Sequence, residues 1–200
     1  MKEVKEQILE TALTLFLQKS FKEVTMNDIV EKTGISKGAF YHYYSSKEKV
    51  FEAVINRFFS DIMAINYDVL SKTSLKDFYE GYLNELERHG KKLKSISSTK
   101  NGKFIANHFM LIFEAIRILP SFSKYIIDLS GTEMNAWMNI IRIARANVEI
   151  NTKMSDEQIA KHFIYLNDGI GINFTMSGQL PKVRRELQAA WDEFYAMIKT

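Results

Sequence analysis

The sequence predicts an all-α protein, and three observations carry that prediction. Apolar residues recur at steps of three and four along most of the chain, the period of helices with one buried stripe. No strand-like alternation persists. Only two prolines occur in 200 residues, so long helices can run unbroken. The pattern divides into a small N-terminal three-helix module over residues 1–60 and a larger helical bundle over 61–200, with the boundary inside or just after a helix that begins near Lys47.

From Lys2 to Lys19, Val4, Ile8, Ala12 and Leu15 repeat at helical spacing, and Leu9, Leu13 and Phe16 widen the stripe. Ser20-Phe21 ends this helix. Thr25, with Asp28 three residues on, forms a capping box that opens a second helix, and Gly34 stands where that helix must stop. Ser36 then caps a third helix, in which Phe40 and Tyr44 share one face. Two short helices separated by a Gly-Ile-Ser break make a helix-turn-helix layout. Ser46 caps the next helix, whose pattern (Val50, Phe51, Val54, Ile55, Phe58, Met63) continues to about Val69.

Ser74 opens a helix carrying Leu75, Phe78, Tyr82 and Leu86, expected to dissolve near His89-Gly90. Lys103–Leu119 is apolar nearly all round, as in a helix buried among others, and Pro120 ends it. Residues 122–150 read as a long helical stretch with an interruption near Gly131. Ser155 and Gln158 form a second capping box, and Pro181 fits the first turn of a last helix with Val183, Leu187, Ala190, Trp191, Phe194 and Ile198 on one side.

Composition removes several classes of function. With no cysteine there are no disulfides, thiolate metal sites or cysteine nucleophiles, which is compatible with a reducing cytoplasm. His42, His89, His108 and His162 are scattered without metal-ligand spacing, so no metal and no cofactor are expected. No nucleophile triad, phosphate-binding glycine loop or paired-carboxylate motif stands out, so enzyme chemistry has no foothold. Met1 leads into a charged amphipathic segment rather than a signal peptide, and the apolar runs are too short to span a membrane. The expected location is the cytoplasm.

Net charge is only +3, so any nucleic-acid reading rests on local charge. Lys32, Lys37, Lys47 and Lys49 stand against Glu48 alone between residues 32 and 49, interleaved with Tyr41, His42 and Tyr43. Lysine and tyrosine suit phosphate oxygens, which supply affinity and register. Ser36-Lys37 and Ser46-Lys47 each place a lysine at a helix start, where backbone amides add to the attraction. Gly38 and Ala39 are small enough for close approach to base edges, and the Ala39 methyl suits a thymine methyl.

The string T-x-N-D-I-V-x-K-T-G-I-S-K-G-A-F-Y-H-Y-Y-x-S-K-E from Thr25 closely resembles the DNA-binding signature of the TetR family of bacterial repressors. The I-L-E-x-A-L-x-L-F run from Ile8 to Phe16 is similar to the same family's first helix. The resemblance covers about Val4 to Phe58. It implies an all-helical homodimer that binds double-stranded operator DNA, with a C-terminal domain that takes a small effector. Carried onto matching positions, it puts Thr25, Lys37, Tyr41, His42 and Lys47 near phosphates. It puts Asn27, Lys37, Gly38, Ala39 and Tyr43 nearest the bases, with Phe40 and Tyr44 buried. Two departures stand out: Ser20 where the family commonly has Gly, and Ala39 where a Thr is frequent.

Beyond residue 65 only the residues themselves guide the reading. Met63, Tyr67, Tyr82, Phe104, His108, Phe109, Phe113 and Trp137 are candidates to line an apolar effector cavity, with Arg117 and Asn167 as polar anchors. Ile159, Phe163, Leu166, Ile170 and Phe174, joined by Leu187, Trp191 and Phe194, follow the spacing of a helix-helix seam and are candidates for the dimer interface. Gly169 and Gly171 would let helices approach closely there. The competing reading is a small-molecule binding protein whose helix-turn-helix is vestigial; salt-dependent DNA binding separates the two.

Overall fold

The computed structural model describes residues 2–96 and 103–200, with side chains for all of these except 2, 61–63, 93–96 and 103–107. Its helices are α1 (Lys2–Gln18), α2 (Met26–Thr33), α3 (Lys37–Tyr43), α4 (Lys47–Arg57), α5 (Leu75–Ile96), α6 (Lys103–Ile118), α7 (Pro120–Ala146), α8 (Asp156–Met176) and α9 (Val183–Ile198). The all-α expectation holds: among the described residues the extended pairing is an isolated bridge between Ile150 and Lys199. No described helix is long and apolar enough to cross a membrane.

The chain divides into two compact units. The first comprises Met1–Ala64 and Lys91–Ser123, the second Ile65–Gly90 and Lys124–Thr200. Residues 91–123, which the sequence pattern alone grouped with the C-terminal bundle, thus pack with the first unit. There, Ile8, Ala12, Phe16 and Leu17 of α1 meet Ile29, Phe40, Val50, Phe51, Val54 and Ile55, all nearly or fully buried. Leu111 and Ala115 of α6 lie against α1 and α4. Burying large side chains of this kind contributes roughly 1.5–3 kcal/mol each.

The turn between α1 and α2 is held from two sides. The Lys47 ammonium donates to the carbonyls of Phe21 (2.8 Å) and Val24 (2.7 Å) and sits 4.3 Å from the centre of the Phe21 ring. The Glu114 carboxylate of α6 accepts the Phe21 N–H through both oxygens, at 3.0 and 2.9 Å. Phe21 in turn packs on Phe16 and Phe51, ring centres 5.9 and 4.8 Å apart. Ser20 needs no left-handed backbone, since Val148 is the described non-glycine residue with positive φ. Its N–H and hydroxyl both donate to Glu23 Oε2 instead, at 2.9 and 2.6 Å. A serine in place of the family's common glycine therefore carries no left-handed strain here.

Three element boundaries differ from the sequence reading. The helix after Ser46 does not continue to Val69: α4 passes into a π-helical stretch at Phe58–Met63, and Ala64 is extended. Asn66 then starts a separate 3-10 turn by accepting the Asp68 N–H at 3.0 Å, a local side-chain bond that competes with helix continuation. That helix is not an element shared by both modules. Conversely α5 runs on through Gly90, and α7 passes Gly131 without a break. A single glycine costs a helix only about 1 kcal/mol, which the neighbouring turns offset.

In the second unit, Tyr79, Trp137, Phe163, Leu187 and Trp191 form the centre of the core. Trp137 stacks on Phe163 at 4.6 Å, and the Trp191 indole donates to the Phe163 carbonyl at 3.1 Å. Glu149 caps the start of α5, accepting the N–H groups of Leu75 and Lys76 at 3.0 and 3.1 Å. Arg145 closes the α7–α8 turn on Asp156 at 2.7 Å and on the carbonyls of Thr152 and Met154.

Lys47→Met keeps the stem over Phe21 and removes the ammonium, leaving two carbonyls without their donor. The expected loss is about 1–3 kcal/mol in urea unfolding; an unchanged midpoint would show that the turn does not depend on this contact.

Candidate nucleic-acid interface

The segment from Thr25 to Lys47 folds as its local chemistry dictates. Thr25 and Asp28 form the reciprocal capping box: Asp28 N–H donates to the Thr25 hydroxyl oxygen (3.1 Å), and Thr25 N–H to the Asp28 carboxylate (2.8 Å). These bonds from the Thr25 N–H and hydroxyl hold the Asp28 carboxyl below its ordinary value. Gly34 ends α2 in the left-handed conformation, φ 70°, and its N–H returns to the carbonyls of Val30 and Glu31. Gln7 of α1 donates to the Thr33 carbonyl at 2.9 Å and ties that end down.

Ser36 caps α3 through the Ala39 N–H at 3.3 Å, and Ser46 caps α4 through the Lys49 N–H at the same distance. Within α3, Phe40 is fully buried and the following Tyr44 nearly so. Helical geometry then turns the intervening residues outward. Thr25, Asn27, Ser36, Lys37, Gly38, Ala39, Tyr41 and His42 are all exposed, and Tyr43 is half-buried beside His42 with ring centres 5.7 Å apart. A Cβ on Gly38 would meet no atom within 4 Å. The outer surface of α3 is therefore a narrow, weakly obstructed ridge with one lysine at its start.

Lys47 is placed differently from the other candidates. Two of its three protons are engaged by Phe21 and Val24, so its first role is to hold the α1–α2 turn, with one proton left for an external oxygen.

The effector candidates are distributed over both units. Tyr67, Tyr82 and Trp137 come together in the second unit, with ring centres 6.4 Å (Tyr67–Tyr82) and 5.6 Å (Tyr82–Trp137) apart, and half-buried Asn167 lies in α8 of the same unit. His108, Phe109, Phe113 and Arg117 belong to α6 in the first unit: His108 is buried against Phe109, while Phe113 and Arg117 are exposed. The side chains of Met63 and Phe104 lie outside the described residues. Sequence reasoning missed Glu133, whose carboxylate accepts the Tyr82 hydroxyl at 2.7 Å. Its signal was available, because it stands four residues before Trp137 and so on the same face of α7.

The interface candidates require a correction. Ile159, Phe163, Leu187 and Trp191 are fully buried within one chain, and Phe194 is 6% exposed, so these five are intramolecular core. The seam spacing is real, but it joins α8 to α9 and to the rest of the same unit. Leu166, Ile170 and Phe174 remain half-buried. The outward apolar face of α8 is a different stripe: Tyr165 (60% exposed), Gly169, Ile172 (44%) and Met176 (83%).

Comparison with known proteins points the same way. Residues 8–54 match the family model described as bacterial regulatory proteins, tetR family. The chain is 47% identical over 49 residues to the uncharacterized HTH-type transcriptional regulator YfiR of Bacillus subtilis strain 168, covering 24% of each protein. It is 26% identical over 141 residues to the HTH-type transcriptional repressor KstR2 of Mycobacterium tuberculosis strain H37Rv, covering 68% of this chain and 63% of that one. The first three relatives, all from Bacillus subtilis, are matched over only 20%, 24% and 36% of their lengths. In fold, the chain is similar over its whole length to a TetR transcription regulator from Haloarcula marismortui, which is matched over its whole length too (TM-score 0.74, 14% identity). It is also similar, over 99% of this chain and 98% of that one, to NalD, the secondary repressor of the MexAB-OprM multidrug efflux pump in Pseudomonas aeruginosa (TM-score 0.63, 14% identity).

The α2 cap has a pH signature. Because the folded Asp28 pKa is depressed, its stabilisation is full above the ordinary value of 3.8 and is lost as pH falls through the lower folded value. Carboxyl NMR should give Asp28 a midpoint below 3.8, shifted back upward in Thr25→Ala. A midpoint at or above 3.8 in the native chain would contradict the capping geometry.

Proposed function

Because the chain belongs to the TetR family of bacterial regulatory proteins, we propose that it is a ligand-responsive, DNA-binding transcriptional regulator, a repressor that binds a near-palindromic operator as a homodimer. One observation carries the reading: α3 buries Phe40 and Tyr44 and exposes Lys37, Gly38, Ala39, Tyr41 and His42 on a single unobstructed ridge. That division of faces is what a recognition helix needs to enter a major groove.

On this reading residues 1–60 are the DNA-binding module. Lys37, Tyr41 and His42 meet phosphates, which set register and affinity. Gly38 and Ala39 lie against base edges, with Asn27 and Tyr43 at the margins. Thr25 and Ser36 hold the two helix starts in place. Residues 61–200 take the effector and dimerise, the latter through Tyr165, Gly169, Ile172 and Met176 of α8. Two recognition helices then fall in successive major grooves roughly 34 Å apart. A bound effector favours a state with different spacing, and its effect is limited by its differential affinity for the two states. Glu114 gives α6 a direct hold on the α1–α2 turn, so a displacement of α6 is felt at the start of the helix-turn-helix.

The test is selection of binding sites from random duplex DNA, followed by mobility shift at two salt concentrations. Lys37→Ala should weaken operator binding about tenfold and reduce the salt slope by about one. Tyr41→Phe should weaken it less. Gly38→Ala should leave the melting temperature unchanged or raised, yet lower operator affinity, because the added methyl meets only DNA. No selected sequence, or unchanged affinity in all three variants, would move the reading to a helical small-molecule binding protein. Ile172→Glu should give a monomer by sedimentation with helical content retained; a dimer would place the interface elsewhere.

A further inference from the structure

The second unit contains a polar cluster that its fold does not require. Glu133 of α7 is half-buried among Tyr82, Tyr67 and Trp137. Tyr82, 3% exposed, donates its hydroxyl proton to Glu133 Oε1 at 2.7 Å. The Trp137 indole is fully buried beside the same carboxylate, and its N–H makes no hydrogen bond of ordinary geometry. Asp168, exposed on α8, adds negative potential at both Glu133 and Tyr82. Among the described residues neither Glu133 nor Asp168 makes an ion pair, and the groups acting most strongly on Glu133 include no lysine or arginine. Burial pushes the Glu133 carboxyl up against the lowering effect of its hydrogen bonds, and partial desolvation at the rim does the same for Asp168.

We propose that Glu133, Tyr67, Tyr82 and Trp137, with Asp168 at the rim, form the binding site for an organic cation: a protonated amine on a flat apolar body. The chemistry selects this class on three grounds. A carboxylate set among aromatic rings without a counter-charge is expensive to keep, and removing or pairing that charge relieves the cost. Three electron-rich ring systems, those of Tyr67, Tyr82 and Trp137, lie beside the carboxylate, so a cation paired with it sits among aromatic rings rather than in water. The ammonium also supplies the hydrogen-bond donors that Glu133 Oε2 and Asp168 can accept, while Phe78, whose ring centre is 4.9 Å from that of Trp137, extends the apolar wall. A carboxylate ligand would meet like charge from both acids. A neutral ligand would leave Glu133 uncompensated. This assignment names the effector class for the regulator proposed above and rests on that reading only for its regulatory consequence.

The probes are 2-naphthylmethylammonium, 2-naphthylmethanol and 2-naphthoate, matched in shape and carrying positive, zero and negative charge. Calorimetric titration of the full chain should show the cation binding at least tenfold more tightly than the alcohol, with no binding of the naphthoate. Glu133→Gln should bring the cation and alcohol to parity while melting no lower than the native chain. Glu193→Gln, which removes an exposed acid elsewhere in the same unit, should keep the full preference. Equal affinity for cation and alcohol, binding of the naphthoate, or a preference that survives Glu133→Gln would overturn the assignment. Operator affinity measured alongside separates the two claims. A cation that binds with the stated preference but leaves operator binding unchanged upholds the site and removes the regulatory reading. Operator release by other compounds, with none of the probes bound, removes the site alone.

Discussion

The Lys47 ammonium, shared between the carbonyls of Phe21 and Val24, is the contact on which the geometry of the first unit depends. A turn that joins two helices leaves carbonyls outside either helix ladder, and those groups need donors. Lys47 supplies them from the first residue of α4, and Glu114 takes the opposing N–H of Phe21 from α6. The Phe21 ring closes the arrangement between Phe16 and Phe51. The turn that sets α2, and through Gly34 the direction of α3, is thus fixed by residues from two other helices. The exposed ridge of α3 is only as well placed as that turn.

This explains which parts of the molecule were legible in the sequence. Thr25 and Asp28, Ser36, Ser155 and Gln158, and Gly34 act on residues at most four positions away, so their spacing alone reveals them. The inward pair Phe40 and Tyr44 follows from helical period in the same way. One failure depends on distant partners and another on a local bond that apolar spacing does not report. Nothing near Lys47 says that its ammonium turns inward, because its acceptors stand 26 and 23 residues earlier. The end of α4 was misplaced because apolar spacing continues past Ala64, while the local bond of Asn66 to Asp68 interrupts the backbone.

The α8–α9 region shows a second limit. Seam spacing reports that a face is buried, not whether it is buried by its own chain or by another. Ile159 and Phe163 meet Leu187 and Trp191 in one chain, and the Trp191 indole bond to the Phe163 carbonyl closes that packing. The apolar stripe that one chain leaves exposed is offset around α8, and it is less obviously hydrophobic because a glycine interrupts it. Tyr165, Ile172 and Met176 are large apolar groups that water would have to cover in a lone chain. Mutual burial of these residues across a twofold axis would remove that surface, and Gly169 would allow the two backbones to approach.

Charge compensation distinguishes the roles of the two units. In the first, Lys47 faces two carbonyls, Glu114 faces an amide, and Arg57 meets Glu6 at 2.5 Å and Glu10 at 3.4 Å. Those contacts complete themselves and hold a shape. In the second, the partly buried Glu149 and Asp156 are matched by the α5 amides and Arg145. Glu133 is set among aromatic rings, where it accepts the hydroxyl of nearly fully buried Tyr82 beside the fully buried Trp137 indole, and no described lysine or arginine pairs with it. A glutamine at that place would accept the Tyr82 proton and avoid the cost of an uncompensated charge. The carboxylate is therefore explained by something the folded chain does not itself supply, and a positively charged ligand supplies it.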